Sequence, residues 1–192
     1  YGPKGIGVLY KKRSVNISPL IVGGGQENGL RAGTESVPLI AGMTLALLKA
    51  ETMRETETPR LSALREFFIA GLRAVIPDVI VNGNSKYHLP HIVHVTVPRI
   101  EGESMVLMLD NAKVEAATGS ACSAKDLKPS HVLVAIGQNA DLMHGSVRFS
   151  LGRHTTRAEL EYVLSVFPPI VKKLKGTSAL TTHYYAHTTT TV

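Results

Sequence analysis

The chain has 192 residues, a formal net charge of +6, 44% apolar and 19% charged side chains, the balance of an ordinary globular protein with a real core. Its basic residues are scattered apart from Lys11-Lys12-Arg13 and Lys172-Lys173-Leu174-Lys175, and there is no tryptophan, which argues against a nucleic-acid surface built on base stacking. No apolar run reaches the roughly 18 residues of a membrane span. With one cysteine and no apolar core of a leader in Tyr1-Gly2-Pro3-Lys4-Gly5, the expected setting is a reducing compartment, cytoplasmic or, in a eukaryote, the mitochondrial matrix.

In chain order, residues 6–10 form a short apolar run bounded by glycine and a basic cluster and predict a strand. A turn-rich stretch leads to Gly23-Gly24-Gly25. Over residues 37–54, Leu39, Ile40, Met43, Leu47 and Leu48 recur at helical spacing. Pro59 fits the first turn of a second helix, with Leu61, Leu64, Phe67, Phe68 and Leu72 on one stripe, and Pro77 ends it. Residues 79–81 and 92–97 are β-branched runs and predict strands. A helix is expected over 103–109, a strand over 113–116, a short helix over 130–136 and a strand over 146–151. Thr155 and Thr156, with Glu159 near the third position, open a helix to about residue 174. Strands interspersed with helices make an α/β or α+β layer structure. The tail beyond Gly176, rich in threonine, histidine and tyrosine, is expected to fray.

Three segments carry chemistry. Gly23 to Thr34 is glycine-rich, so backbone amides can approach an anion, with Arg31 and Thr34 adding a cation and a hydroxyl; plain linkers have the same composition. Ser146-Val147-Arg148-Phe149-Ser150 places an arginine inside an apolar strand, where it must reach an edge or pair with an anion. Its planar fork suits a carboxylate, although structural salt bridges are the commoner use. Arg153, five residues on, faces the other way on a regular strand. Finally, Cys122 sits among Gly119, Ser120, Ala121, Ser123 and Ala124, a setting of small and polar neighbours unlike that of a buried thiol. Lys125 nearby favours thiolate, the nucleophilic form.

Together with Tyr1-Gly2-Pro3-Lys4-Gly5-Ile6-Gly7, these segments resemble, in order and spacing, the cysteine desulfurases of the NifS and IscS type in the class V aminotransferase group. The resemblance runs from Tyr1 to about Leu174. It implies the C-terminal part of a fold-type-I, aspartate-aminotransferase-like enzyme. Residues 1–36 would then close a large cofactor domain and supply a glycine-rich interface segment, 37–175 would form the small domain, and 176–192 a tail.

The resemblance implies a homodimer that uses pyridoxal 5′-phosphate to take sulfur from L-cysteine, leaving L-alanine and a persulfide for a scaffold or acceptor protein. Cys122 matches the persulfide-forming nucleophile, in a longer loop resembling that of NifS and IscS, and in some members the same residue ligates a transient iron–sulfur cluster. Arg148 matches the arginine that binds the substrate carboxylate. Thr34 matches the threonine that reaches the cofactor phosphate of the neighbouring subunit.

In such proteins Tyr-Gly-Pro-Lys-Gly follows closely on a His-Lys pair whose lysine binds the cofactor; Lys4 is not that lysine, which would lie outside this chain. The expectation is a fragment with little or no desulfurase activity alone. Selenocysteine lyase and a non-catalytic interaction module are the alternatives. The family usually carries asparagines where His91 and His94 stand. With His88 the two mimic a metal pattern, but on a strand they face opposite sides, so they read as surface or core variants, and His131 and His144 stay unassigned.

Overall fold

The computed structural model describes residues 1–118 and 130–177. The chain divides into two compact units, Tyr1–Thr56 and Glu57–Val192. Among the described residues, no helix is long and apolar enough to cross a membrane.

In the first unit, residues 6–10 are not a strand. Val8, Leu9 and Tyr10 are exposed, and among the described residues the segment has no ladder to join. An apolar run makes a strand only where a partner satisfies its backbone. A short 3-10 helix, Gln26–Gly29, follows the glycines. Helix α1, Val37–Val75, then begins and contains Pro59. This corrects the expectation of two helices parted near Pro59. Proline removes one amide from the ladder, but the helix continues through it, with an Arg54–Glu51 pair before the proline and an Arg60–Glu57 pair spanning it. Arg60 also reaches the carbonyls of Gly152 and Thr155.

The second unit is built on a three-stranded antiparallel sheet in the order β1 (Ile80–Val81), β2 (Ile92–Thr96), β3 (Ser146–Ser150). Alternation along β2 and β3 sends Val93, Val95, Val147 and Phe149 to one face, where all are buried. Phe68 and Leu72 of α1, Met105 and Leu109 of α2 (Gly102–Asn111), and Val163 and Phe167 of α5 (Arg157–Thr177) join them in one core. Phe149 stands edge-on to Phe68 and Phe167, with ring centroids 5.2 and 5.7 Å apart. The start of α5 is the expected capping box. Thr156 Oγ1 accepts the Glu159 amide at 3.3 Å, and the Glu159 carboxylate accepts the Thr156 amide at 2.7 Å.

Two short helices, α3 (His131–Ala135) and α4 (Ala140–Met143), precede β3; α4 has no counterpart among the expected elements. Residues 113–116 do not form the predicted strand. Lys113 turns the chain at φ 61°, and pairing is confined to one bridge between Ala117 and Arg148. The tail from residue 178 on lies outside the described residues.

Candidate functional site

The sheet face opposite the core is polar, because the same alternation that buries Val93 and Val95 turns His94 and Thr96 away. Register puts His94 of β2 opposite Arg148 of β3, and residues directly opposed on antiparallel strands share a face. Arg148 is the exposed residue of β3 between buried Val147 and Phe149. It reaches the open face of the sheet, whereas its apolar setting had suggested an edge or a paired anion.

The row continues on both sides. The Asn82 amide donates to the His94 carbonyl at 2.9 Å, which extends the β1–β2 register to set Asn82 beside His94. On the far side, the Arg148 amide donates to the Ala117 carbonyl at 2.7 Å, and the Ala117 amide donates back at 3.1 Å. Asn82, His94, Arg148 and Ala117 therefore stand in line across the sheet. Among the described residues, no carboxylate pairs with the Arg148 side chain.

A polar network secures one end of this row. Asn82 Nδ2 lies 2.7 Å from His94 Nδ1 and 2.8 Å from Thr96 Oγ1. Gln138 Nε2 donates to Asn82 Oδ1 at 2.9 Å. Burial, and then the neighbouring Arg148 charge, hold the His94 imidazole below its ordinary pKa. His91 lies before β2, where its carbonyl accepts the Leu151 amide. Asn82, His94 and Gln138 were not legible as site residues, since 56 positions separate Asn82 from Gln138 and only the strand register and the return of the chain unite them. The one available signal was the alternation in residues 92–97, which separates His94 and Thr96 from the valines.

Thr34 belongs to the first unit, and its side chain is exposed. The loop before it is shaped by left-handed backbone at Glu27, Asn28 and Gly29, with φ of 50°, 56° and 77°. The Gly33 amide donates to Gln26 Oε1 at 3.2 Å, and the Arg31 guanidinium to the Ala32 carbonyl. Gly33 has φ 108°, a left-handed backbone that favours glycine at this turn. Cys122 lies outside the described residues, between Thr118 and Ser130. Among the described residues, no group of three or more histidine, cysteine or acidic side chains could hold a metal ion.

An open sheet face bearing a guanidinium, on a layered helix-and-sheet scaffold, defines a candidate anion-binding site of an α/β protein. The model of the aminotransferase class-V family matches residues 1–163, and the chain belongs to that family. It is 47% identical over 178 residues to the cysteine desulfurase IscS of Dictyoglomus turgidum, covering 93% of this chain and 45% of that protein. It is 41% identical to the cysteine desulfurase NifS of Azotobacter vinelandii, covering 93% of this chain and 44% of the relative. Among solved structures, a NifS-like protein matches with a TM-score of 0.76 and 31% identity, over 90% of this chain and 44% of the other. A NifS-like protein from Rickettsia africae matches with a TM-score of 0.71 and 27% identity, over 82% and 41%. The fold is thus that of part of the NifS-like, class V aminotransferase architecture. The chain spans less than half the length of these relatives.

Proposed function

We propose that this chain is the portion of a cysteine desulfurase that binds the substrate carboxylate and receives the sulfur. The observation that carries the reading is the Arg148–Ala117 bridge. It joins the backbone of a carboxylate-matching arginine to that of Ala117, five residues before Cys122 in the sequence. In this reading the Cys122 thiol meets a ligand held at Arg148. The relatives named cysteine desulfurase support the same reading.

In this reading Arg148 orients L-cysteine by its carboxylate. The Cys122 thiolate attacks the substrate sulfur. The new S–S bond forms as the carbon–sulfur bond breaks, the carbon keeps the electron pair and gains a proton, and L-alanine leaves. Cys122 is left as a persulfide for an acceptor protein, and a reducing compartment returns it to the thiol. Pyridoxal phosphate, when bound, supplies an electron-withdrawing ring that eases bond breaking at the substrate. The residues present fit part of that group's needs. Thr34 offers an exposed hydroxyl beside glycine-rich backbone, suited to phosphate, and in a homodimer it would serve the neighbouring subunit. The row across the sheet, an amide, an imidazole, a guanidinium and Ala117, holds no primary amine to bind the cofactor's aldehyde.

The test is alanine release and persulfide formation from L-cysteine by the intact protein with pyridoxal phosphate. Cys122→Ser should abolish persulfide and leave cofactor binding intact; surviving sulfur transfer would remove Cys122 from the reaction. Arg148→Ala should raise KM for cysteine by about tenfold to a hundredfold, the loss of a hydrogen-bonded charge contact. Activity confined to selenocysteine would favour the lyase, and none on either substrate a non-catalytic module.

A further inference from the structure

His94 occupies a position in the row that the carboxylate reading leaves unused. Its Nδ1 lies 2.7 Å from Asn82 Nδ2. An amide nitrogen can only donate, so Nδ1 is the acceptor, and the single proton of the neutral ring sits on Nε2. The orientation of Asn82 is set by two other contacts. Its Oδ1 accepts from Gln138 Nε2 at 2.9 Å, and its second N–H goes to Thr96 Oγ1 at 2.8 Å.

The two ring nitrogens lie on opposite sides of the Cβ–Cγ axis. A ring whose Nδ1 faces Asn82 beside β1 therefore turns Nε2 toward β3, where Arg148 is the partner in register. A neutral donor and a cationic donor flank one stretch of open sheet face. Among the described residues, no acidic side chain pairs with either. The two N–H groups cannot satisfy each other, and an anion with two oxygens can accept from both.

We propose that the His94 Nε2–H is a second donor, beside the Arg148 guanidinium, to the carboxylate of the bound amino acid. This rests on the carboxylate-binding role proposed for Arg148. The Asn82–Gln138–Thr96 network then has a function at a distance, since it fixes the tautomer and so points a proton, rather than a lone pair, at the ligand. His94 belongs to substrate positioning, with no proton transfer of its own.

The test uses the chain labelled with nitrogen-15 and sodium formate as the carboxylate probe, so that no sulfur transfer is needed. At pH 7.5 the His94 resonances should report protonated Nε2 and bare Nδ1; protonated Nδ1 overturns the proposal in the unmodified chain, whatever any variant does. Formate should move the His94 Nε2 and Arg148 Nε signals along one saturable curve, and its failure to move His94 also overturns it. His94→Phe should weaken formate about tenfold, the size of one hydrogen bond to a charged group, and His94→Gln, which keeps a donor, should recover most of the loss. Equal affinity in His94→Phe counts against His94 alone. Formate affinity unchanged in Arg148→Ala counts instead against the role of Arg148.

Discussion

Protonating His94 would set a cation against an amide nitrogen that can only donate and beside a guanidinium that is always charged. The charged group facing the ring is Arg148 of β3, while Asn82, Thr96 and Gln138 are neutral. Burial first, then Arg148, depress the pKa from its ordinary value of 6.5. The unfolded chain therefore takes up the proton at a higher pH than the folded one. Stability from the neutral ring is complete above about 6.5 and is lost as pH falls from there through the folded-state pKa. His94→Gln can accept the Asn82 hydrogen without titrating. Urea midpoints measured from pH 7.5 to 5 should thus fall further for the wild type than for this variant, and parallel curves would show that His94 is uncoupled from folding. Arg148 was legible at this scale because a charged fork in an apolar run demands an explanation. Asn82 and Gln138 were not, because an amide in a turn-rich stretch looks the same whether it is solvated or holds an imidazole.

At the scale of elements, two glycines join the helix α2 to the strand that presents Arg148. The Gly102 amide donates to the His144 carbonyl at 2.7 Å, and the Val97 amide to the Gly145 carbonyl at 2.8 Å. A Cβ on Gly145 would lie 2.4 Å from the Val97 carbonyl oxygen and 2.8 Å from that of Ile100. Both obstacles are backbone, so no side chain can swing aside. Gly145→Ala should cost about 1–3 kcal/mol by overpacking and should lower the urea midpoint. Formate affinity should fall with it, since the clash lies three residues from Arg148. A variant as stable as the wild type would mean that the seam moves apart freely. Helices α2 and α5 were legible because periodicity and capping are local signals. The predicted strand at 6–10 and the break at Pro59 failed for the opposite reason. Whether a run pairs, or a helix continues through proline, is decided by partners elsewhere in the chain.

For the whole molecule, the division of burial between the two units makes a prediction about folding. Within Tyr1–Thr56, Ala32 alone is buried. Leu9, Leu20, Val22, Leu47 and Leu48 of this unit are exposed, whereas Phe68, Leu72, Met105 and Phe167 of the second are fully enclosed. Burial of apolar surface contributes about 25 cal/mol per Å², so nearly all of that stabilisation falls to the second unit. A segment of this length sits near the size at which a core becomes marginal in any case. Local opening follows few buried contacts and solvent-exposed backbone bonds. In native-state hydrogen exchange, amides of β2, β3 and α5 should exchange only through global unfolding, with rates that follow the urea dependence of the whole second unit. Those of residues 1–36, where a few loop bonds such as Ala32 to Ile21 are the main backbone ties, should exchange orders of magnitude faster and with little urea dependence. Equal protection in the two units would mean that the first unit's exposed apolar side chains are covered in solution. The same experiment repeated across a tenfold range of protein concentration would then reveal whether a second copy covers them, as the homodimer proposed above requires of the segment that carries Thr34.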